Sequence, residues 1–276
     1  MTLRFAYNTN GAANHRLDDA IRLIADCGYD GVALTLDHHH LDPFADDWQH
    51  EAERVAVLLD RLAIGSVIET GARYLLDPRR KHEPTLIAPD SQGRDRRVAF
   101  LNRAIDIAAM LGSETVSFWA GVPQASVAPE EGRRWLGEGI GRVLDHAEQR
   151  GVDASFEPEP GMLIETVADY DALRAQHPRL KLALDAGHCL VTQDIDPGDA
   201  IRRYADRIGT VAVEDMRRGE HIHLPFGEGD MDVPAVLVAL DEIGFARLVC
   251  VELSRESPRA HAAIPEAIAY LRGATA

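Results

Sequence analysis

Three acidic residues interrupt apolar segments in the second half of the chain. Glu157 lies near the end of DASFEP, Asp185 ends LKLALD, and Glu252 lies near the end of LVCVEL. A buried carboxylate without a partner is costly, and three converging carboxylates would repel one another and raise their own pKa values. An arginine or lysine beside each acid would be one solution, but a single divalent cation keeps all three ionised at once. The sequence therefore favours a metal site built on these three carboxylates.

Three histidines follow the acids at spacings that suit the same site. His188 lies three residues after Asp185, so it can reach the same end of the fold. His221 and His223 are two residues apart and would face the same way on an extended segment. Because imidazole is a common ligand of first-row metal ions, we expect one of these two to bind the cation, and we favour His223. Carboxylates with a single imidazole favour Mn or Mg, while Co and Zn are further candidates.

Eight apolar segments rich in β-branched residues must position these side chains. The strands are predicted at 3–8, 31–36, 65–70, 115–120, 153–158, 180–185, 208–214 and 248–253. Amphipathic helical segments alternate with them, which predicts an α/β fold, a single-domain (β/α)8 TIM barrel over residues 1–276. The C-terminal ends of the strands form one face of such a barrel, so the three acids would converge there. A doubly wound open sheet is the main alternative, but the turn NTNGAANH lacks the glycine pattern that it requires.

One connection is much longer than the others. Residues 71–95 are rich in proline and charge, and they follow the third strand, which places them on the face that carries the acids. We interpret this segment as either a substrate lid or a surface excursion. Glu69 and Arg73 lie beside it and are candidates for the pocket wall on position alone.

Composition narrows the class of partner. The chain has 29 Lys and Arg residues against 45 Asp and Glu, and the net charge of −16 repels polyanions such as nucleic acid. The chain contains no run of 18 apolar residues, so no membrane span is predicted, and the segment MTLRFAYNTNG lacks the features of a signal peptide. Three cysteines without CxxC spacing argue against a disulfide framework. We therefore expect a cytoplasmic protein that acts on a small molecule. Its expected assembly is a homodimer, because this is the commonest oligomer of soluble proteins.

Several motifs together resemble one superfamily. FEPEPG, LDAGH, VAVEDMRRG, HLPFGEGDMD and the late VEL look like the xylose isomerase-like barrels, often labelled sugar phosphate isomerases/epimerases. YNTNG, CGYDGVALTLD and LDEIGFARLVCVELS extend the similarity to nearly the whole chain. The resemblance implies the TIM-barrel fold. It does not identify a substrate, because this superfamily holds isomerases, epimerases, dehydratases and endonucleases.

The resemblance also implies a set of metal ligands. In ketose epimerases of this superfamily, a glutamate, an aspartate, a histidine and a glutamate on strands five to eight bind one metal ion. Glu157, Asp185 and Glu252 match three of these positions, whereas the histidine position falls at Ala212. The endonucleases of the superfamily have further ligands in a stretch that resembles HIHLPFGEG. A histidine of that stretch would therefore replace the missing imidazole.

Substrate contacts follow from the same resemblance. His188 is similar to a residue that contacts substrate oxygen in the epimerases, and Arg217 and Arg218 lie where the epimerases place a substrate-binding arginine. Trp119, at the end of the fourth strand, is either a sugar-stacking face or a core aromatic residue. The endonuclease metal cluster needs histidines at the ends of strands three and four, where this chain has Glu69 and Trp119. DNA repair is therefore disfavoured.

These residues predict isomerisation or epimerisation of a sugar or keto-polyol. Glu157 and Glu252 would remove and return a proton next to a carbonyl, while the cation polarises that carbonyl and stabilises the enediolate. One alternative is a dehydratase or lyase that eliminates from a keto-sugar or keto-inositol at the same site. Another is a metal-free relative that binds a sugar or a partner without catalysis, which Ala212 leaves open. The absence of a strong phosphate-binding motif favours an unphosphorylated substrate.

Overall fold

Eight parallel strands close into a barrel, which confirms the predicted α/β TIM-barrel fold. The computed structural model describes residues 2–274. The strands are β1 (Arg4–Asn8), β2 (Gly31–Thr35), β3 (Gly65–Glu69), β4 (Val116–Phe118), β5 (Ala154–Phe156), β6 (Lys181–Asp185), β7 (Ile208–Val213), β8 (Asp215–Arg217), β9 (Glu220–Leu224) and β10 (Leu248–Val251). Around the barrel, neighbouring strands follow the order β1, β10, β7, β6, β5, β4, β3, β2. The remaining two, β8 and β9, form an antiparallel hairpin outside it.

Helices surround the barrel with their apolar faces turned inward. They are α1 (Leu17–Asp26), α2 (Trp48–Leu62), α3 (Ser91–Leu111), α4 (Pro129–Arg150), α5 (Val167–Gln176), α6 (Ala186–Thr192), α7 (Pro197–Arg203), α8 (Val233–Glu242) and α9 (Ala260–Ala274). Short 3-10 turns lie at Thr9–Ala12 and Ser257–Arg259. Across residues 2–274, none of the helices combines the length and the apolar character needed to span a membrane.

The core lies in two layers on either side of the strands. Between strands and helices, Phe118 and Phe156 meet edge to face with ring centroids 5.5 Å apart, within one large apolar cluster. The inside of the barrel is filled by a smaller cluster, Ala6, Ala33, Val67, Leu248 and Cys250. Burial raises the pKa of the Cys250 thiol to about 12, so it stays neutral and packs as an apolar group.

Helix α3 carries an arginine to each tryptophan of the chain. The guanidinium carbons lie 4.0 to 4.3 Å from the indole ring centroids in the pairs Arg94–Trp135, Arg97–Trp119 and Arg103–Trp48. Such contacts contribute of order 0.5–2 kcal/mol each. The three aromatic partners belong to α4, to the segment after β4 and to α2, so α3 is fixed to three separate parts of the chain.

Two local features differ from the sequence prediction. Helix α3 begins at Ser91, so the connection predicted over 71–95 ends at residue 90, because the Asp90 carboxylate accepts a hydrogen bond from Gly93 N and caps the helix. The segment after β7 folds back as the β8–β9 hairpin, a pairing not predicted from the sequence, and His221 and His223 both lie on its second strand. Gly219 has a φ of 75°, which allows the turn between the two strands.

Candidate active site

A cavity of about 550 Å³ opens at the C-terminal ends of the barrel strands. This volume lies within the range of sites that bind small molecules. Eight of the residues selected from the sequence line it: Glu69, Arg73, Trp119, Glu157, His188, His221, His223 and Glu252. Beneath it, a smaller space is bounded by Asp185 and Ala212 together with Glu157 and Glu252. The barrel topology therefore brings the acids of β5, β6 and β10 to one place.

Glu157, Asp185 and His188 form the tightest group at the floor of this cavity. One ligand atom from each lies within 4.8 Å of the other two. His188 Nε2 is 3.4 Å from Asp185 Oδ2 and His188 Nδ1 is 3.8 Å from Glu157 Oε1. Asp185 Oδ2 is buried and receives no hydrogen bond from any N–H or hydroxyl group of residues 2–274. A buried anionic oxygen of this kind is a donor atom suited to a cation.

Local structure fixes the orientation of His188. The helix α6 begins directly after Asp185, whose Oδ1 accepts a hydrogen bond from His188 N at 3.1 Å and caps the helix. His188 Nδ1 lies 3.0 Å from the carbonyl oxygen of Pro158. A carbonyl only accepts, so Nδ1 carries the proton and the lone pair of Nε2 faces the cavity.

His221, on β9, presents a second imidazole nitrogen to the same point. Its Nε2 lies 3.1 Å from His188 Nε2, and the rings are nearly perpendicular. Burial, with the neighbouring His188 and His223, lowers the pKa of His221 to about 4, so the ring is neutral at pH 7. Two imidazole nitrogens bound to one ion at about 2.1 Å lie roughly 3–3.4 Å apart. The His188–His221 spacing therefore fits two ligands of one cation.

Glu252 and His223 line the cavity outside the tight group. Asn10 Nδ2 donates a hydrogen bond to Glu252 Oε1 at 2.9 Å, and Asn10 itself is buried in the turn after β1. His223 lies beside His221, with ring centroids 5.5 Å apart, and its buried Nδ1 has no hydrogen-bond partner among residues 2–274. The β8–β9 hairpin places His221 next to His188. The role of His223 as a metal ligand stays a prediction.

Burial raises the pKa values of most carboxyl groups in the cavity. Burial, reinforced by neighbouring carboxylates, raises the pKa of Glu157 well above its ordinary value. Burial also raises the pKa of Glu159 to about 8 and that of Glu69 to about 7. For Asp185, burial opposes ionisation, but the nearby His188 and His223 hold its pKa below the ordinary value. The site thus concentrates carboxyl groups whose ionisation a bound cation would favour.

The strand-seven acid Glu214 is a site residue that was not selected from the sequence. It is fully buried, and burial followed by repulsion from Asp185 raises its pKa well above the ordinary value. The signal is present in the sequence, because Glu214 also ends an apolar strand. Glu214 lies two residues after Ala212, and Ala212 is the position at which the resemblance places a histidine.

The long connection after β3 forms one wall of the cavity. Arg73 and His82 line the cavity, while Leu76 and Leu86 are buried and anchor the segment to the core. His82 meets Trp119 edge to face with ring centroids 5.4 Å apart. The segment is thus part of the site, and its movement as a lid stays a prediction.

Trp119 is both buried and part of the cavity wall. Only 5% of its surface is exposed, and Arg97 covers the ring at 4.3 Å. Its burial fits the core-aromatic interpretation, and the sugar-stacking interpretation stays a prediction. Arg97 is itself fully buried, and desolvation lowers the pKa of its guanidinium to about 10.

Arg217 and Arg218 lie apart from the other predicted site residues. They occupy the exposed tip of the β8–β9 hairpin, and Arg217 is within 3.8 Å of Glu220. Neither of them lines the cavity. Their role in substrate binding stays a prediction that this arrangement does not support.

Several cavity residues were not singled out from the sequence. They are Asn10, Thr35, Gly71, Tyr74, Lys81, His82, Glu159, Ser254 and Arg255. The repeated glutamate of FEPEPG could have indicated Glu159. The others come from loops and turns, whose side-chain directions follow no sequence period.

The sequence of this chain is similar to those of a known protein family and of two kinds of characterised enzyme. A family model described as xylose isomerase-like TIM barrel matches residues 21–274. An L-ribulose-5-phosphate 3-epimerase of Shigella flexneri serotype 5b (strain 8401) is 23% identical over 246 residues, which cover 87% of this chain and 82% of the relative. An inosose dehydratase of Lacticaseibacillus casei is 28% identical over 145 residues, which cover 46% of this chain and 48% of the relative.

Solved structures agree with the fold. The IolI protein with a binding zinc atom superposes with a TM-score of 0.77 at 18% identity, covering 99% of this chain and 96% of that protein. An L-ribulose 3-epimerase gives a TM-score of 0.75 at 20% identity, with coverage of 99% and 96%. The 3-keto-D-glucoside 4-epimerase YcjR from E. coli gives 0.78 at 14% identity, with coverage of 99% and 100%. At these identities the likeness shows the architecture alone.

Proposed function

Because the chain belongs to the family of xylose isomerase-like TIM barrels, we propose that it is a divalent-metal-dependent epimerase or isomerase of a sugar or keto-polyol. One observation carries this proposal. Glu157 and Glu252 enter a single cavity from β5 and β10, which are separated by β6 and β7 around the barrel. Two carboxyl groups therefore approach a bound molecule from different sides, which is the arrangement that inversion at a carbon requires.

The donor atoms at the cavity floor fit a divalent cation. Glu157, Asp185 and His188 would hold the ion, with His221 as the adjacent donor, since their ligand atoms converge and Asp185 Oδ2 lacks another partner. The bound ion would polarise the substrate carbonyl and stabilise negative charge on its oxygen. Two imidazoles beside carboxylates favour Mn or Zn over Mg, which prefers oxygen ligands.

The chain's own groups have separable roles in the proton transfer. Glu157 and Glu252 exchange the proton next to the carbonyl, one on each side of the substrate. The Asn10 amide donates to Glu252 Oε1, so Oε2 would be the oxygen that exchanges the proton. Trp119 offers an apolar surface to the carbon skeleton of the sugar. The names of the relatives, which include ribulose-phosphate and keto-glucoside epimerases, support a keto-sugar substrate.

Solvent exchange tests the proposal whichever product the reaction forms. We expect the Mn-loaded protein to introduce deuterium from D₂O at C3 of L-ribulose, D-tagatose or D-allulose, followed by NMR. Glu157→Gln and Glu252→Gln should each slow this exchange at least about a hundredfold. Glu138→Gln, an exposed change on α4 that also converts a carboxylate to an amide, is the matched control. Exchange at the wild-type rate in either cavity variant would remove that residue from the mechanism.

A dehydratase that acts on a keto-inositol is the second candidate. The inosose dehydratase relative favours it, although the match covers 46% of this chain. Both reactions begin with removal of a proton next to a carbonyl, so product analysis separates them. Loss of water from the substrate would support elimination, and an isomer of unchanged mass would support epimerisation. A protein that binds sugar without metal and without exchange would contradict both.

A further inference from the structure

We propose that the cavity selects a substrate whose end remote from the carbonyl carries an anionic group, a phosphate or a carboxylate. This inference rests on the proposed function, because it takes the acid-lined floor as the place of the carbonyl. It departs from the sequence-based expectation of an unphosphorylated substrate. The observation behind it is the separation of charge within the cavity.

Three cations line the cavity, and all of them come from loops beyond the strand ends. Arg73 and Lys81 lie in the connection between β3 and α3, and Arg255 follows β10. We call them the outer cations. The acids of the floor, in contrast, lie at the strand ends themselves. A molecule that fills the cavity would therefore meet carboxyl groups and imidazoles near the strand ends and positive charge from the loops that follow them.

The outer cations are not neutralised by the protein. None of them lies within 4.0 Å of a carboxylate oxygen of residues 2–274, although the chain has 45 acidic residues against 29 basic ones. Two acids close to them in the sequence are paired with other cations: Asp77 pairs with Arg80 at 2.9 Å, and Glu256 pairs with Arg259 at 2.6 Å. Glu83, two residues from Lys81, accepts a hydrogen bond from Gln124 Nε2 at 3.2 Å.

The charges of the outer cations act on the cavity rather than only on the surrounding solvent. Arg73 opposes the burial that raises the pKa of Glu69, and its guanidinium lies 3.4 Å from the carbonyl oxygen of Asn10. Lys81 opposes the raised pKa of Glu159. Burial is the main cause of the lowered pKa of His221, and Arg255, although exposed, adds to it.

Two neutral hydrogen-bonding groups accompany the outer cations. Tyr74 and Ser254 also line the cavity, each immediately next to one of the cations in the sequence. An anion with two or three oxygens can accept several charge-assisted hydrogen bonds from such a set. A neutral polyol would satisfy the hydroxyl partners but would leave the outer cations without a counter-charge.

Binding of matched ligands tests this inference. Calorimetry on the Mn-loaded protein compares L-ribulose, L-ribulose 5-phosphate and the corresponding keto sugar acid with a terminal carboxylate. We expect at least one anionic ligand to bind at least about tenfold more tightly than L-ribulose, and inorganic phosphate to compete with it. The advantage should shrink with added salt, since the outer cations are partly exposed. A preference for the phosphate or for the carboxylate would identify the anion.

Charge-removing variants locate the effect. Arg73→Gln, Lys81→Gln and Arg255→Gln should each weaken binding of the anionic ligand about tenfold, a larger loss than the same variants cause for L-ribulose. Arg79→Gln removes a charge from the same connection outside the cavity and serves as the matched control. Equal affinity for all three ligands, no binding of any of them, or equal loss in the control would overturn the inference. Preferential binding without deuterium exchange would keep it and refute the proposed function instead.

Discussion

We expect Gly187→Ala to destabilise the protein, although it places the best helix-forming residue inside α6. A Cβ atom added to Gly187 would overlap Glu214 Oε1 and would lie 2.8 Å from both Sδ and Cε of Met216. Glu214 is fully buried against Asp185 and cannot move towards solvent. Overpacking of this kind costs about 1–3 kcal/mol, and the gain in helix propensity offsets at most about 1 kcal/mol. The net loss of unfolding free energy should therefore be roughly 1–2 kcal/mol.

Thermal unfolding followed by circular dichroism measures this loss. For a chain of this size, each kcal/mol corresponds to about 2–4 °C in Tm, so we expect a decrease of roughly 2–8 °C. Gly141→Ala is the control, because its added Cβ has no heavy atom within 4 Å and should raise stability by about 0.5–1 kcal/mol. A Gly187→Ala protein at least as stable as the wild type would refute the steric argument. The double variant with Glu214→Ala should lose less than the sum of the single losses, because the clash is removed.

Three further predictions concern the cavity. His188→Ala should lower the manganese content after dialysis more than His223→Ala does, as elemental analysis would measure; the opposite order would favour His223 as the ligand. Asn10→Ala should slow exchange about tenfold at saturating substrate through loss of the hydrogen bond to Glu252, and an unchanged rate would contradict this positioning role. Burial lowers the pKa of His82 from 6.5 to about 4, so its unfolded form binds the proton first and stability falls as pH drops through this window. His82→Gln should flatten that part of a stability–pH curve measured by urea unfolding.

The acids of the floor could be located from sequence because two simple rules act together. Each ends an apolar strand, and parallel strands in a barrel place their C-terminal ends on one face. Both rules are independent of loop structure, so they identify Glu157, Asp185 and Glu252 together. The same reasoning applied to the seventh strand would have found Glu214.

Residues on loops were harder to predict. The proximity of His221 to His188 depends on the β8–β9 hairpin, whose turn at Gly219 returns the chain towards the cavity. The two-residue spacing of the histidines showed that they share a face but not which of them is nearer. Arg217 falls on the exposed side of that hairpin for the same reason. The outer part of the cavity likewise depends on the path of the long connection, which no periodicity encodes.

The contacts of α3 with the tryptophans determine what intrinsic fluorescence reports for this protein. The three indoles of the chain all lie under arginines of this one helix, so their emission responds together when α3 separates from its neighbours. None of them lies in the half of the barrel that carries Asp185 and Glu252. A fluorescence-detected unfolding curve therefore follows one helix, while circular dichroism follows the whole barrel. A difference between the two midpoints would reveal an intermediate in which α3 has detached and the acidic floor is still folded.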